Sequence, residues 1–354
     1  MVKSQWSSLA TRARPGVQHG NLRSILLLSG GLAVLVLISL FLGRYPQAGF
    51  VSPFALEDAP FLLTIVFILR MPWVLTAVIL GMSLGAAGQV FQMMFSNPLV
   101  EPGFLGVTQG AAFGAALAVV FLGNRAVFVQ GGAAVFAVSG LVLSSVLARK
   151  IRFGGWILRL ILAGIAVSAL FTAGVGFIKY IADPLQELPE ITFWLLGGLW
   201  GSSWERLITI LPVVVPALII LTALRWRLNV MSLSDEIVHS LGVTPQVERV
   251  LLLGSATAAT ASVISVTGII SWIGLIVPHM ARRIFGVDTR YSLPGAMLIG
   301  ALFAVICDDA ARTLLAGELP LGIISSFFGA VFFLIIMASK KPRRGKEHVR
   351  RTDR

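Results

Sequence analysis

The sequence predicts an all-α polytopic membrane protein, and three observations carry that reading. Hydrophobic residues make up 56% of the 354 positions and charged residues only 12%, where a soluble domain carries about 25% charged. Mean hydropathy is +0.89. Apolar runs of about 18 residues or more, enough to cross roughly 30 Å of hydrocarbon, recur along the chain. The net charge of +12 invites a nucleic-acid reading, but the lysines and arginines fall in short blocks between apolar runs, which is how membrane topology is written. The single cysteine, Cys307, excludes an internal disulfide and any cysteine-clustered metal centre.

Ten spans follow in order: 24–42, 70–93, 104–122, 126–148, 158–181, 206–224, 249–270, 271–285, 292–312 and 320–338. The first, preceded by Lys3, Arg12, Arg14 and Arg23, could be a signal peptide. Its apolar stretch is too long and lacks a small-residue cleavage site, which favours an uncleaved helix. The span 271–285 is short. A basic N-tail (1–23), a permeating helical body (24–338) and a basic C-tail (339–354) complete the organisation. Most of the 28 lysines and arginines fall in the tails and in the segments around Arg149, Arg225, Arg249, Arg282 and Arg290. The positive-inside bias therefore places these, with both termini, in the cytoplasm.

Trp73, Trp156, Trp204, Trp226 and Trp272 lie near span ends, where amphipathic rings anchor. Gly81, Gly85 and Gly88, then Gly103, Gly106 and Gly110, imitate a dinucleotide fingerprint only superficially, because no strand precedes them. Small residues three or four apart let membrane helices approach closely.

Catalytic chemistry is not visible. There is no GxxxxGK[ST] phosphate loop, no HExxH and no GxSxG, and the four histidines are scattered. Asp308 and Asp309 are the clear intramembrane acids. Asp308 stands four residues before Arg312 on one helix face, so the pair partly neutralises itself. Lys179 sits near a helix end and can snorkel.

Two polar segments interrupt the apolar pattern. SNPLVEPG (96–103) contains Pro98 and Pro102, which cannot continue a helix. It is either a tight connection or irregular backbone lining a cavity or gate. In the segment 228–250, Ser232 or Ser234 precedes a short helix with Asp235 and Glu236 in its first turn and Gly242 as its stop. Thr244 and Pro245 start a second short helix. The segment is a docking knob or a simple linker.

At these residues the chain resembles a known family. RMPWVLTAVILGMSLGAAGQVFQMMFSNPLVEPGFLGVTQGAAFG, SLSDEIVHSLGV, TGIISWIGLIVPHMARR and ELPLGIISSFFGAVFF are similar, in order and spacing, to the iron-siderophore, haem and cobalamin permeases of ABC importers. The likeness covers about 65–340. It implies the ten-helix type II importer fold and a second permease, itself or a paralogue, flanking a central pathway. It also implies two ATPase subunits that carry the ATP and magnesium, an external substrate-binding protein, a location in the cell (inner or cytoplasmic) membrane, and no cofactor or catalytic residue on this chain.

By the same resemblance, Leu233, Ser234, Asp235, Glu236, Ile237, His239, Leu241 and Gly242 form the helix that couples to the ATPase. Asn97 and Leu99 match one cytoplasmic gate, and Ile157 and Leu158 a second. Arg70 and Arg312 match outward arginines that receive the binding protein. Trp73 stands where the family's motif has its second arginine. Pro278, His279 and Arg282 belong to a Pro-His signature with a structural role. The implied cargo is an iron chelate, with haem or cobalamin as alternatives. The rival of another class is a proton-coupled carrier resting on Asp308 and Asp309.

Overall fold

The computed structural model describes residues 15–44, 49–50, 60–233, 235–315 and 317–338. The C-tail (339–354), residues 1–14 of the N-tail, and Ser234 lie outside the described residues. Helix α1 (Pro15–Phe41) leads into a two-residue antiparallel pairing, β1 (Leu42–Gly43) with β2 (Gly49–Phe50). There follow α2 (Pro60–Thr64), a π-helical turn (Ile65–Arg70) and α3 (Met71–Met94), which continue one another. A 3₁₀ turn (Pro102–Leu105) precedes α4 (Val107–Phe121), α5 (Ala126–Lys150) and α6 (Trp156–Ile181). Beyond these come α7 (Glu187–Leu196), α8 (Trp204–Ala223), α9 (Arg225–Met231), α10 (Asp235–Ser240) and α11 (Pro245–Thr267). The chain closes with α12 (Ile273–Phe285), α13 (Thr289–Thr313) and α14 (Leu321–Ala338).

Among the described residues, seven helices are long and apolar enough to cross a membrane, including the unbroken Phe61–Met94. Val107–Phe121 and Leu321–Ile335 are apolar but shorter. Each of the ten predicted stretches falls on a helix, and the differences have local causes. The second begins at Pro60 rather than 70, because Arg70 folds inward and donates from Nη1 to the Leu40 carbonyl at 3.1 Å. The apolar run before it then joins the helix. The second short helix expected at Pro245 is instead the first turn of α11, since Pro at the start of a helix needs no partner for its missing N–H. The acidic residue in that turn, Glu248, is buried and paired with Arg227. Helices α7 and α9 have no counterpart among the predicted spans.

Helix α3 is central, packing against α13, α11, α12 and α8. Its small-residue stripe explains the position. A Cβ on Gly81 would stand 2.1 Å from the Gly300 carbonyl oxygen, on Gly85 2.4 Å from that of Ala296, and on Gly88 1.9 Å from that of Gly274. Only glycine lets these backbones meet, so the stripe sets helix spacing, as the packing reading anticipates.

The helices sort their chemistry to two ends. At one, the C-termini of α1 and α13 meet the N-terminus of α3 through Arg70 and Arg312. At the other, the ends of α3 and α5 meet the beginnings of α6, α10 and α11.

Candidate functional site

Helix α10 projects from the second end. Val238 is fully buried, and the backbone closes behind it: Gly242 N donates to the His239 carbonyl at 3.0 Å and Val243 N to the Val238 carbonyl at 3.3 Å. Gly242 adopts φ +77°, the left-handed stop that the sequence anticipates. Leu233, Ile237 and Leu241, four residues apart, are 45%, 48% and 58% exposed. They form one apolar stripe that the chain itself leaves uncovered, flanked by the exposed Asp235, Glu236 and His239. Arg249 anchors the element: it pairs with Asp235 and lays its guanidinium 3.8 Å from the centre of the Trp156 ring.

The same Trp156 contacts Phe95, ring centroids 5.7 Å apart, so the loop after α3 and the start of α6 come together beside α10. In that loop Asn97 Oδ1 accepts the Leu99 N–H at 2.9 Å, an Asx turn, and Ser96 has φ +47°. Leu99 and Leu158 are exposed, and Ile157 is half-buried. Both predicted gate segments therefore occupy the end of the bundle that carries α10.

Further along the bundle, a cavity of about 370 Å³ lies between the 101–104 segment, the start of α4, the middle of α6 and the later part of α11. Its polar lining comprises Glu101, Thr108, Gln109, Ser168, Thr172, Thr260 and Ser271. Glu101 is the one charged group among the described residues lining it. Burial pushes the Glu101 carboxyl above its usual range, while the backbone N–H of Trp272 holds it down in part. Trp272 itself has φ +74°, a strained conformation for a bulky side chain. It packs on Gly329 and Phe333 next to the cavity, which is a different setting from the membrane-anchoring position expected for it.

The Pro-His signature forms part of a buried hydrogen-bond unit. Pro278 has no N–H for the carbonyl four residues earlier, that of Gly274. Gln92 of α3 fills the gap, its Nε2 donating to the carbonyls of Leu275 at 3.0 Å and Gly274 at 3.4 Å. Its Oε1 in turn accepts from Arg282 Nη2 at 2.5 Å, and Arg282 Nη1 donates to Gln89 Oε1 at 3.1 Å. Gln89 Nε2 reaches Ser292 Oγ at 3.1 Å. Pro278 and Arg282 are thus pinned to α3, while His279 is half-buried on the same helix. Gln89 and Gln92 were not singled out from sequence, although two glutamines inside an apolar span were the available signal.

At the opposite end, Arg70 and Arg312 are only 6% and 8% exposed. Arg312 Nε lies 2.9 Å from Asp308 Oδ2, and Nη2 lies 2.5 Å from Asp309 Oδ1 and 2.9 Å from Ser39 Oγ. Ser39 donates to Asp309 at 2.6 Å. These arginines tie α1, β1 and α13 together, a different setting from the outward-facing one anticipated. Beside them a cavity of about 340 Å³ is lined by Arg44, Trp73 and Glu318 as well. Arg44 is exposed and donates to the Thr313 carbonyl at 2.9 Å. Among the described residues, no group of three or more His, Cys, Asp or Glu could hold a metal ion.

Residues 31–339 match the FecCD transport family. The chain is 35% identical over 317 residues to the molybdate import system permease protein of Haemophilus influenzae, covering 88% of this chain and 94% of that one. It is 38% identical over 283 residues to a probable iron chelatin transport system permease protein of Helicobacter pylori, covering 79% and 84%. A solved structure, described as an inward-facing conformation of a metal-chelate type ABC transporter, superposes with a TM-score of 0.83 at 34% identity. It covers 89% of this chain and 99% of that one. With this match over nearly the whole chain, the protein is a member of the FecCD transport family, a multi-pass permease of an ABC importer.

Proposed function

We propose that the chain crosses the inner (cytoplasmic) cell membrane ten times with both termini in the cytoplasm. In this reading it pairs with a second permease, itself or a paralogue, around a central pathway. Two ATPase subunits bind and hydrolyse ATP on separate chains, and an external binding protein delivers an iron chelate. The observation that carries the coupling reading is α10: Leu233, Ile237 and Leu241 form an exposed apolar stripe on an element clamped to the bundle through Val238 and Arg249. Such a stripe suits a groove on a cytosolic partner, and the clamp passes the partner's motion to α11 and, through Trp156, to the gate segments at Asn97, Leu99, Ile157 and Leu158. ATP drives transport only if it favours one conformation over another.

The cavity bears on cargo. Two relatives are named for different solutes, an iron chelate and molybdate. A bare oxyanion passing this wall meets the Glu101 carboxyl, with no lysine or arginine among the described residues lining the same cavity. Hydroxyl and amide groups over an apolar wall suit a bulky chelate instead, with haem and cobalamin as the alternative cargoes. Docking of the binding protein falls to the end that bears the exposed Arg44 and Glu318 beside the half-buried Trp73.

The proton-coupled carrier loses its support. Asp308 and Asp309 are closed into an ion-paired cluster with Arg312 and Ser39.

Leu241→Asp tests the assignment. The variant is expected to insert normally, because Leu241 is exposed, and to abolish uptake of the chelate in cells that contain the whole importer. Uptake at the wild-type rate would refute it.

A further inference from the structure

A groove between the end of α5 and the starts of α6 and α11 shares Trp156 and Arg249 with the α10 clamp and continues beyond them. It encloses about 530 Å³. Its floor is the buried Leu160 and Leu253, and its walls are the exposed Val142, Val146 and Val250. Arg149, Arg159 and Arg249 stand at its mouth, and no acid is among the described residues lining it. We propose that this groove binds one anionic phospholipid, the phosphate held by the three guanidinium groups and an acyl chain lying along the valines.

Three features favour this occupant. The mouth lies where three membrane helices end or begin, at Lys150, Trp156 and Pro245, which is headgroup level, and the walls run inward from there along α5 and α11. Arg149 is exposed, and the Arg159 Nη1 contact to the Ile151 carbonyl is long at 3.5 Å. Guanidinium groups match phosphate oxygens in pairs, and basic pockets between membrane helices hold anionic headgroups. A zwitterionic lipid would press its own cation against the arginines. Free phosphate would answer the charge but leave the valine walls facing nothing. Asp235, the present partner of Arg249, lies on α10, so an anion here would compete with that clamp.

The test uses the purified full chain, delipidated in detergent and titrated with phosphatidylglycerol or phosphatidylcholine while bound lipid is counted by native mass spectrometry. It needs neither the ATPase nor cargo, so it stands or falls apart from the import reading. Phosphatidylglycerol is expected to be retained over phosphatidylcholine, and millimolar inorganic phosphate should not displace it. The triple variant Arg149→Gln, Arg159→Gln, Arg249→Gln is expected to bind phosphatidylglycerol roughly 100-fold more weakly, since each basic residue is worth about a factor of five. Removing three other arginines (Arg23→Gln, Arg225→Gln, Arg290→Gln) should leave it unchanged. Val146→Trp keeps every charge and fills the groove, and should also lower retention. Equal retention by the two triple variants, displacement by phosphate, or wild-type retention in Val146→Trp would each overturn the proposal.

Discussion

Gln92 shows how one side chain can hold a signature together. It supplies the donor that Pro278 withholds from the Gly274 carbonyl and the acceptor that the half-buried Arg282 requires. Replacing it with leucine strands both groups, at about 1–3 kcal/mol for each buried group left unpaired. Gln92→Leu should therefore lower the thermal midpoint in detergent by several degrees, and an unchanged midpoint would deny the unit its structural role. Arg312 follows the same logic with charge. Arg312→Glu would add a third carboxylate to Asp308 and Asp309, and breaking a buried pair costs roughly 3–5 kcal/mol. Loss of folded protein is expected, where Arg44→Glu, on an exposed residue, should keep the fold and weaken binding-protein affinity at low salt. Glu101 makes a pH prediction. Its folded value lies above the ordinary 4.5 because burial disfavours the charge. The folded state thus holds the proton more tightly, and the stability this confers is complete below the unfolded value and lost as pH rises through the folded one. Glu101→Gln should gain on the wild type in thermal midpoint more at pH 8 than at pH 5; equal differences would contradict the shift.

Helix α3 meets α13 at Gly81 and Gly85 and α12 at Gly88 over carbonyl oxygens, and this spacing was legible because a repeat of small residues in an apolar helix has few other uses. Gly81→Val should prevent the pair from closing and abolish accumulation of folded protein. Gly176→Ala, where an added Cβ meets nothing within 4 Å, should stay within about 1 kcal/mol of wild type or improve on it. Equal behaviour of the two variants in a thermal melt would sink the packing argument. Helix α10 was equally readable, from acids in its first turn and Gly242 at its stop. Helix α7 was not: Glu187 and Glu190 interrupt the apolar pattern, and a ten-residue helix is too short to announce itself as a span. The π-helical turn was also hidden, because it depends on where the Arg70 guanidinium finds the Leu40 carbonyl, a contact 30 residues away in sequence.

For the whole molecule, composition and charge blocks sufficed for the membrane class, and ordered motifs for the family. Long-range pairing was beyond their reach. Arg70 and Arg312 read as outward charges from position alone, yet their partners Leu40, Ser39 and Leu42 sit on α1 and β1, brought close only by the fold. The two ends of the bundle now have distinct chemistry, one sealed by buried ion pairs and one presenting the α10 stripe. The central claim is that a separate nucleotide-hydrolysing subunit moves this chain through α10. Its most direct measurement places a photo-crosslinking residue at Leu241 in the assembled importer and identifies the captured chain with and without ATP. The account predicts a crosslink to the ATPase whose yield changes with nucleotide. Capture confined to lipid or to a second permease, in both conditions, would contradict it.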